Sequence, residues 1–457
     1  MINKMLYLDK KWILRYEPYL KEPYRLFNIY SSKTFKLNRS MYYILHSIQK
    51  GTTKERLTKE FDLELSKVDE ILHNFEEHWY GIFSEEKSPR NPNYDQMNLE
   101  NLPKYDIPIY KFPISAEIHL TEQCNLHCRH CIYSCSPYTK TKELTPQQWL
   151  TFFKELDNHG FFNAVLTGGE IFCYYGITDI LRGIRNLNIH FDLLTNALLI
   201  TREQAKLLHS KNIALSISMD GCRAESHDYL RGKGAFNRLM KQMDMLTEEK
   251  VLKALSVTLN AKNYLEVEGI LNYAATHDCH SVGFIFLDDH GRAEENKELH
   301  LTKEMCKICT DEIHKLIPKY PSLTINLLDP ASGLSEQHVS DDEHQTLYCT
   351  GGTSHMGITS EGDVYPCVYA FGSDELLAGN IKNAKMTDIW KSDKFNLMRG
   401  EIHLDDVKEC GSCKLRHFCS LKNCRVRALK FRHDILGKPE CNKTQNDFQQ
   451  IRFGLIG

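Results

Sequence analysis

The 457-residue sequence contains no apolar run of the roughly 18 residues that a membrane-spanning helix needs. Its opening, MINKMLYLDKKW, also lacks the long apolar core of an export signal. An excess of either charge is missing too: 57 Lys and Arg stand against 60 Asp and Glu, a formal net charge of −3. With a pI near 6.7, nothing suggests nucleic acid or an anionic membrane as the main partner. These absences lead us to expect a cytosolic protein with no nucleic-acid and no membrane partner. Its length suits about three domains of ordinary size.

What the sequence has in abundance is cysteine, 16 residues, most of them in short-spaced groups. In a secreted chain they would read as disulfides; without an export signal, metal ligation explains the spacing better. Cys135, Cys173, Cys222, Cys279, Cys306 and Cys309 are scattered and read as small buried apolar residues. The organising group lies in EIHLTEQCNLHCRHCIYSCS, where Cys124, Cys128 and Cys131 follow a short apolar run, Ala116 to Leu120, that reads as a strand. Three thiolates on one tight loop make a tripod of soft ligands, suited to an iron–sulfur cluster or zinc, and leave a fourth position open to a ligand that is not protein.

From Ala116 apolar strand candidates alternate with helical patterns. The strands are Ala116–Leu120, Ala164–Leu166, His190–Leu194, Ile213–Ser218, Leu255–Leu259 and Val282–Leu287; the helices fall near Thr145–Asn158, Ile177–Arg185, Arg202–His209, Phe236–Lys250, Tyr264–Ala275 and Lys303–Pro318. Such repeats predict an α/β fold of parallel strands with helical crossovers, curling toward part of a (β/α) barrel. Chemistry in that architecture sits just beyond the carboxyl ends of the strands. There the sequence places Thr167-Gly168-Gly169-Glu170, Thr195-Asn196 and Ser218-Met219-Asp220-Gly221, with Arg231 following.

The cysteine spacing, with a Gly-Gly-Glu turn after the second strand, resembles the radical S-adenosylmethionine (SAM) enzymes. The resemblance implies a six-unit partial barrel and a 4Fe–4S cluster on Cys124, Cys128 and Cys131 whose unique iron binds the amino and carboxylate groups of SAM. It further implies that Gly168 and Gly169 let backbone approach SAM, that Glu170 accepts from its ammonium or ribose, that Ser218 contacts ribose and that Arg231 pairs with the carboxylate. Asn196 joins this set, and His130 occupies the position where the family usually puts an aromatic residue beside adenine. Turn capping also accounts for Asn196 and Asp220. Gly291-Arg292-Ala293, found in peptide-modifying relatives, is a candidate to help hold substrate.

Residues 1–95 read as short strands followed by three helices, a winged-helix pattern. The first fifty residues carry ten Lys or Arg against three acids, which keeps DNA open as an alternative. The run FNIYSSKTFKLNRSMYYIL is similar to the peptide-recognition domain of maturases of ribosomally made peptides and to the small chaperone of pyrroloquinoline quinone biosynthesis. That implies a precursor's leader peptide added as an extra strand at a sheet edge, packed against the third helix. Residues 96–114, within a Pro- and Asn-rich stretch, read as a linker, 115–325 as the barrel and 326–457 as a cysteine-rich domain.

In that last part Cys349, Cys367, Cys410, Cys413, Cys419, Cys424 and Cys441, together with Gly362-Asp363-Val364-Tyr365-Pro366-Cys367, resemble the SPASM extension of radical SAM peptide-modifying enzymes. The resemblance implies two auxiliary clusters, three 4Fe–4S clusters in all. Cys410, Cys413, Cys419 and Cys441 would close one; Cys349, Cys367 and Cys424 would give the other three thiolates, with room for a substrate thiolate. Four residues separate Cys419 from Cys424 where the family has three. Structural zinc is the rival for this field, and Cys306-Lys307-Ile308-Cys309 either lends a ligand or is the buried face of a helix. The expected activity is radical modification of a precursor peptide, with a thioether crosslink as the leading product and flavodoxin or ferredoxin as reductant. Carbon–carbon crosslinking, epimerisation and other oxidation keep the same parts; a non-catalytic redox sensor is the alternative of another class.

Overall fold

The computed structural model describes residues 4–87, 107–288, 290–328, 346–407, 409–413 and 424–437; Cys419, Cys441 and residues 96–106 of the expected linker lie outside the described residues. The amino-terminal part builds β1 (Tyr7–Leu8), β2 (Trp12–Tyr16), β3 (Tyr24–Asn28), β4 (Lys33–Lys36), α1 (Arg39–Lys50), α2 (Lys54–Phe61), α3 (Leu65–His78) and β5 (Phe83–Ser84). β2, β3 and β4 form an antiparallel sheet in that order, and β1 pairs with β5. Asn38 caps α1 by accepting from the Met41 amide at 2.9 Å, and Thr53 caps α2 from Arg56 at 3.3 Å. α3 has Glu64 at its N-cap, with no side-chain cap bond. Trp12, Leu26, Leu45, Ile48, Leu72 and Phe75 close the core of this unit.

Residues 107–114 share the linker composition but are built in: Ile107, Ile109 and Phe112 are buried. The apolar alternation of IPIYKF outweighs its prolines. Beside it, Arg15 is wholly buried and donates to Glu17 at 2.6 Å and to the carbonyls of Gly160 at 3.0 Å and Phe112 at 2.8 Å. Glu17 also accepts from the Lys111 amide at 2.9 Å. Phe27 packs on Phe162, ring centres 5.0 Å apart, and His190 Nδ1 meets the Ile29 carbonyl at 2.7 Å. The amino-terminal unit is thereby bonded to the body of the molecule at a buried, polar seam.

The body is a sheet of ten strands. β6 (Ser115–Thr121), β7 (Asn163–Gly168), β8 (His190–Thr195), β9 (Ile213–Ser218), β10 (Lys253–Leu259) and β11 (Ser281–Phe286) run parallel in chain order, matching the six expected strands. Two parallel neighbours were not foreseen. β12 (Thr324–Leu328) adds to β11. Beyond β13 (Thr346–Tyr348), β14 (His355–Ile358) pairs with β6 and is continued antiparallel by β15 (Asp363–Tyr365) and β16 (Gly379–Asn380). β13 itself pairs with β17 (Arg399–His403).

Between the strands lie α4 (Pro146–Asn158), α5 (Ile177–Ile184), α6 (Arg202–Leu207), α7 (Ala224–Arg231), α8 (Ala235–Glu248), α9 (Val267–Thr276) and α10 (Lys303–Leu316). α7 was missed because it buries Ser226, His227 and Leu230 rather than an apolar stripe. Trp149, Phe153, Phe191, Ile217, Leu259 and Phe284 are among the buried residues of one continuous core, each worth about 1.5–3 kcal/mol for a fully buried large apolar side chain. Cys309 is buried on the inner face of α10 and donates to the Cys306 carbonyl at 3.2 Å, the helix-face position rather than a ligand's. Among the described residues no helix is long and apolar enough to cross a membrane.

Candidate functional site

The carboxyl ends of the parallel strands surround a cavity of about 390 Å³. Its wall includes Cys124, Cys128, His130 and Cys131 from the loop after β6, and Gly168, Gly169 and Glu170 from the turn after β7. Asn196 follows β8, Ser218 ends β9, and Arg231 ends α7; all three reach the same cavity. The structure thus brings together every one of the SAM-site candidates drawn from the sequence.

The glycines meet an internal need first. Gly168 has φ +120°, and a Cβ there would stand 2.1 Å from the Thr121 carbonyl oxygen; one on Gly169 would stand 2.2 Å from that of Gln123. Their absence lets the Gly169 and Glu170 amides donate to Thr121 and Gln123 at 2.8 and 2.9 Å, binding the turn to the residues that lead into Cys124. Glu170 is buried and accepts from Thr195 at 2.6 Å and from the amides of Asn196 at 2.7 Å and Phe172 at 3.1 Å. Burial raises its pKa against the pull of those bonds. Asn196 makes the turn expected of it, accepting from Leu198 at 3.0 Å, and donates to Asn125 at 2.7 Å.

Asp220, weakly marked in the sequence, proves central. It is fully buried, receives Arg231 Nε at 2.6 Å and lies 3.2 Å from His130 Nε2, while the Thr258 amide donates to its other oxygen at 2.8 Å. Burial alone would raise its pKa, but Arg231 and His130 pull it far below the ordinary carboxylate value. Arg292 shows a role that the sequence left open. Its guanidinium donates to the Cys128 carbonyl at 2.7 Å and to that of Cys135 at 2.9 Å, so the Gly-Arg-Ala segment clamps the cysteine loop. Cys135 is buried within this loop and donates to Glu122 at 3.5 Å.

Desolvation pushes the thiols of Cys124 and Cys128 up to about 12 and about 11, whereas the thiol of Cys135 beside it pulls Cys131 down. A bound metal deprotonates a coordinating thiol outright. Among the described residues no three His, Cys, Asp or Glu side chains gather at one metal-sized point; in a cluster of four irons each thiolate takes its own iron, so three thiols facing one cavity meet the requirement. The cavity lies within the roughly 300–1,000 Å³ of small-molecule sites. His130 Nδ1 and Asn125 Nδ2 are buried without a protein partner, which leaves polar capacity for a bound group. The residues present fit a cluster and SAM.

The cavity wall also holds residues that sequence reasoning missed. Tyr133 donates to Glu117, and Tyr369 donates to Asp288 at 2.9 Å; all four line the cavity. Burial works against it, yet bonds from His290 and Tyr369 and the charge of Arg427 bring the Asp288 pKa to about 2. Immediately behind, Cys349, Cys367 and Cys424 pack in one cluster with Tyr365, Met398 and Val426. A Cβ on Gly351 would stand 2.7 Å from the Pro366 carbonyl oxygen, the close approach that brings Cys349 and Cys367 together. Cys410 is half-buried and Cys413 exposed; burial lowers the pKa of Arg425, while the nearby Cys410 and Cys424 work the other way.

Residues 118–274 match the radical SAM superfamily, and residues 349–414 match an iron–sulfur cluster-binding domain, SPASM. An AdoMet-dependent heme synthase of Methanosarcina barkeri is 28% identical over 336 residues, 70% of this chain and 94% of its own. The sporulation killing factor maturation protein SkfB of Bacillus subtilis is 30% identical over 286 residues, 61% of this chain and 64% of its own, so the match leaves more than a third of SkfB uncovered. The crystal structure of Streptococcus suis SuiB bound to precursor peptide SuiA superposes with a TM-score of 0.72 over 96% of this chain and all of that one, at 18% identity, a likeness of fold. Residues 118–274 thus carry a radical SAM domain and residues 349–414 a SPASM iron–sulfur extension, and the chain is similar to peptide maturases and to heme synthases.

Proposed function

We propose that this enzyme installs a crosslink, foremost a thioether, in a ribosomally made precursor peptide whose leader is held by residues 1–95. The observation that carries a peptide substrate is the outer strand β4, paired on one side only and solvent-exposed at Lys33, Thr34 and Lys36. Its Phe35 packs against Trp79, the residue that ends α3, at 6.1 Å. An open edge beside a helix is the arrangement for β-augmentation, and the local excess of Lys and Arg suits an acidic leader. SuiB, which shares the fold, has been crystallised with its precursor peptide, and SkfB is named as a maturation protein. Both agree with a peptide substrate; in this reading 1–95 is a winged-helix recognition domain, 96–106 what remains of the expected linker 96–114 once the buried 107–114 is set apart, 115–325 the barrel and 326–457 the SPASM domain.

Cys124, Cys128 and Cys131 would hold the SAM-binding 4Fe–4S cluster, and His130, Gly168, Gly169, Glu170, Asn196, Ser218 and Arg231 would hold SAM. Bound there, the cluster and SAM would supply radical chemistry able to activate an otherwise inert C–H bond, given an electron from a flavodoxin- or ferredoxin-type reductant. Arg231, held by Asp220, presents its guanidinium to the cavity from a fixed position. Cys410, Cys413, Cys419 and Cys441 would complete one auxiliary cluster. Cys349, Cys367 and Cys424 supply three thiolates where four ligands are usual, and a substrate thiolate has the matching softness.

The heme synthase relative supports a second reading, a porphyrin substrate. Anaerobic assays with a synthetic peptide that joins an acidic leader to a cysteine-rich core, and separately with a porphyrin, distinguish the two by mass spectrometry. Loss of two hydrogens from the peptide supports the maturase; change in the porphyrin alone overturns it. Replacing Cys124, Cys128 and Cys131 together by Ala should abolish formation of 5′-deoxyadenosine and remove one cluster's iron.

A further inference from the structure

One carboxylate of the cavity wall receives contacts from two of the three segments that carry the auxiliary trio. Asp288 lies two residues beyond β11. Its Oδ2 accepts from the hydroxyl of Tyr369, two residues after Cys367, at 2.9 Å, and from Nη1 of Arg427, three residues after Cys424, at 3.3 Å. His290 Nδ1 bonds the other oxygen. The three partners also touch one another: the Arg427 guanidinium lies over the Tyr369 ring at 6.0 Å, and the His290 ring meets it edge-on at 5.0 Å. The side chains of Asp288 and Arg427 are 13% and 15% exposed, so water screens their attraction only in part.

We propose that Asp288 is the positioning residue that fastens the Cys367 and Cys424 segments against the SAM cavity and so fixes the place of the auxiliary trio relative to the reacting end of the site. Val368 and Tyr369 are themselves cavity wall. The chain that leaves Cys367 is therefore the surface a substrate meets, and any loosening of it moves the trio. An aspartate can satisfy this geometry because both oxygens accept: one takes Tyr369 and Arg427, the other His290. Asparagine removes the charge that attracts Arg427 and turns one acceptor into a donor, which His290 can meet only by switching its ring tautomer. The inference rests on reading Cys349, Cys367 and Cys424 as cluster ligands.

The test uses the full chain, reconstituted with iron and sulfide, with Cys124, Cys128 and Cys131 replaced by Ala so that only auxiliary clusters remain. In that background Asp288→Asn should shift the EPR spectrum of the reduced auxiliary cluster and at least double the rate of iron loss to a chelator. Asp288→Glu, which keeps both acceptors, should restore the parent spectrum, and Tyr369→Phe, which deletes one hydrogen bond and leaves the ring, should shift it in the same direction by less. A parent spectrum and parent iron retention in Asp288→Asn overturn the proposal; should that variant not fold, a parent spectrum in Tyr369→Phe overturns it. The underlying reading fails separately, by full iron retention when Cys349, Cys367 and Cys424 are all replaced by Ala.

Discussion

At the scale of single residues the site depends on buried polar groups that are paired rather than on exposed ones. Asp220 shows the pattern: besides Arg231, His130 and Thr258, its backbone carbonyl accepts from Asn263 at 3.1 Å and its amide donates to His227 Nδ1 at 3.3 Å. That last bond needs His227 unprotonated. Burial, reinforced by Arg231 and His130 and opposed by Asp220 and Asp228, lowers its pKa from 6.5 to about 4. The unfolded chain takes up this proton near 6.5 and the folded chain only near 4, so stability is present above 6.5 and lost as the pH falls through that window. The loss should approach on the order of 2–3 kcal/mol. Urea titrations at pH 7 and pH 4.5 measure it, and His227→Gln, which keeps a neutral acceptor, should flatten the difference; an equal pH dependence in the variant contradicts the assignment. Gly168 gives a second prediction. Its left-handed backbone and the 2.1 Å approach to Thr121 leave no space for a methyl group, so Gly168→Ala should displace the turn that positions the Cys124 loop and cut cluster loading by more than half, as read by iron content.

At the scale of elements, the amino-terminal unit offers one face to the barrel and another to solvent. Its barrel face is anchored by Arg15, and removing one partner of such a buried pair costs about 3–5 kcal/mol. Deleting the whole unit would therefore destabilise the barrel as well as remove an edge strand, and charge reversal on β4 is the cleaner probe. Lys33→Glu with Lys36→Glu should weaken leader binding about tenfold at low salt, with the deficit shrinking as salt rises; fluorescence anisotropy with a labelled leader peptide checks it, and unchanged affinity removes β4 as the docking edge. Elements with local signals were legible in the sequence. Thr145 and Thr201 form capping boxes with Gln148 and Gln204, as a threonine three residues before a glutamine announces. β14 was not legible because its partner lies far back in the chain: the bond between Ser115 and His355 spans 240 positions, a pairing no short window contains. The site divides in the same way. The tripod is written in spacing, whereas Asp288, Tyr369 and Arg427 meet across separations of 81 and 139 residues.

At the scale of the whole molecule, the amino-terminal unit, proposed to hold the leader, and the cavity sit at opposite ends of the barrel. The amino-terminal unit contacts Phe162, His190 and Gly160, all at or before the amino ends of strands. The cavity opens at the carboxyl ends. β6 has seven residues, which at roughly 3.3 Å each puts about 20 Å between the two ends. The core between them is filled, so a bound peptide must travel round the outside. A precursor should need about 6 residues at the least, and on the order of 10 once the rim is rounded, between its anchored segment and the residue modified. Shortening that spacer in steps should abolish modification while leader affinity holds; modification that persists with no spacer places the anchor elsewhere.

Whether the cavity oxidises a peptide through its cysteine is measured most directly by tandem mass spectrometry of a synthetic peptide, an acidic leader joined to a cysteine-rich core, after anaerobic incubation with the reconstituted enzyme, SAM and reductant. The expected product is lighter by two hydrogens, with one cysteine no longer reactive toward a thiol reagent and joined to a carbon of a nearby residue. A peptide recovered at its starting mass with every thiol intact, from an enzyme that is forming 5′-deoxyadenosine, contradicts that expectation.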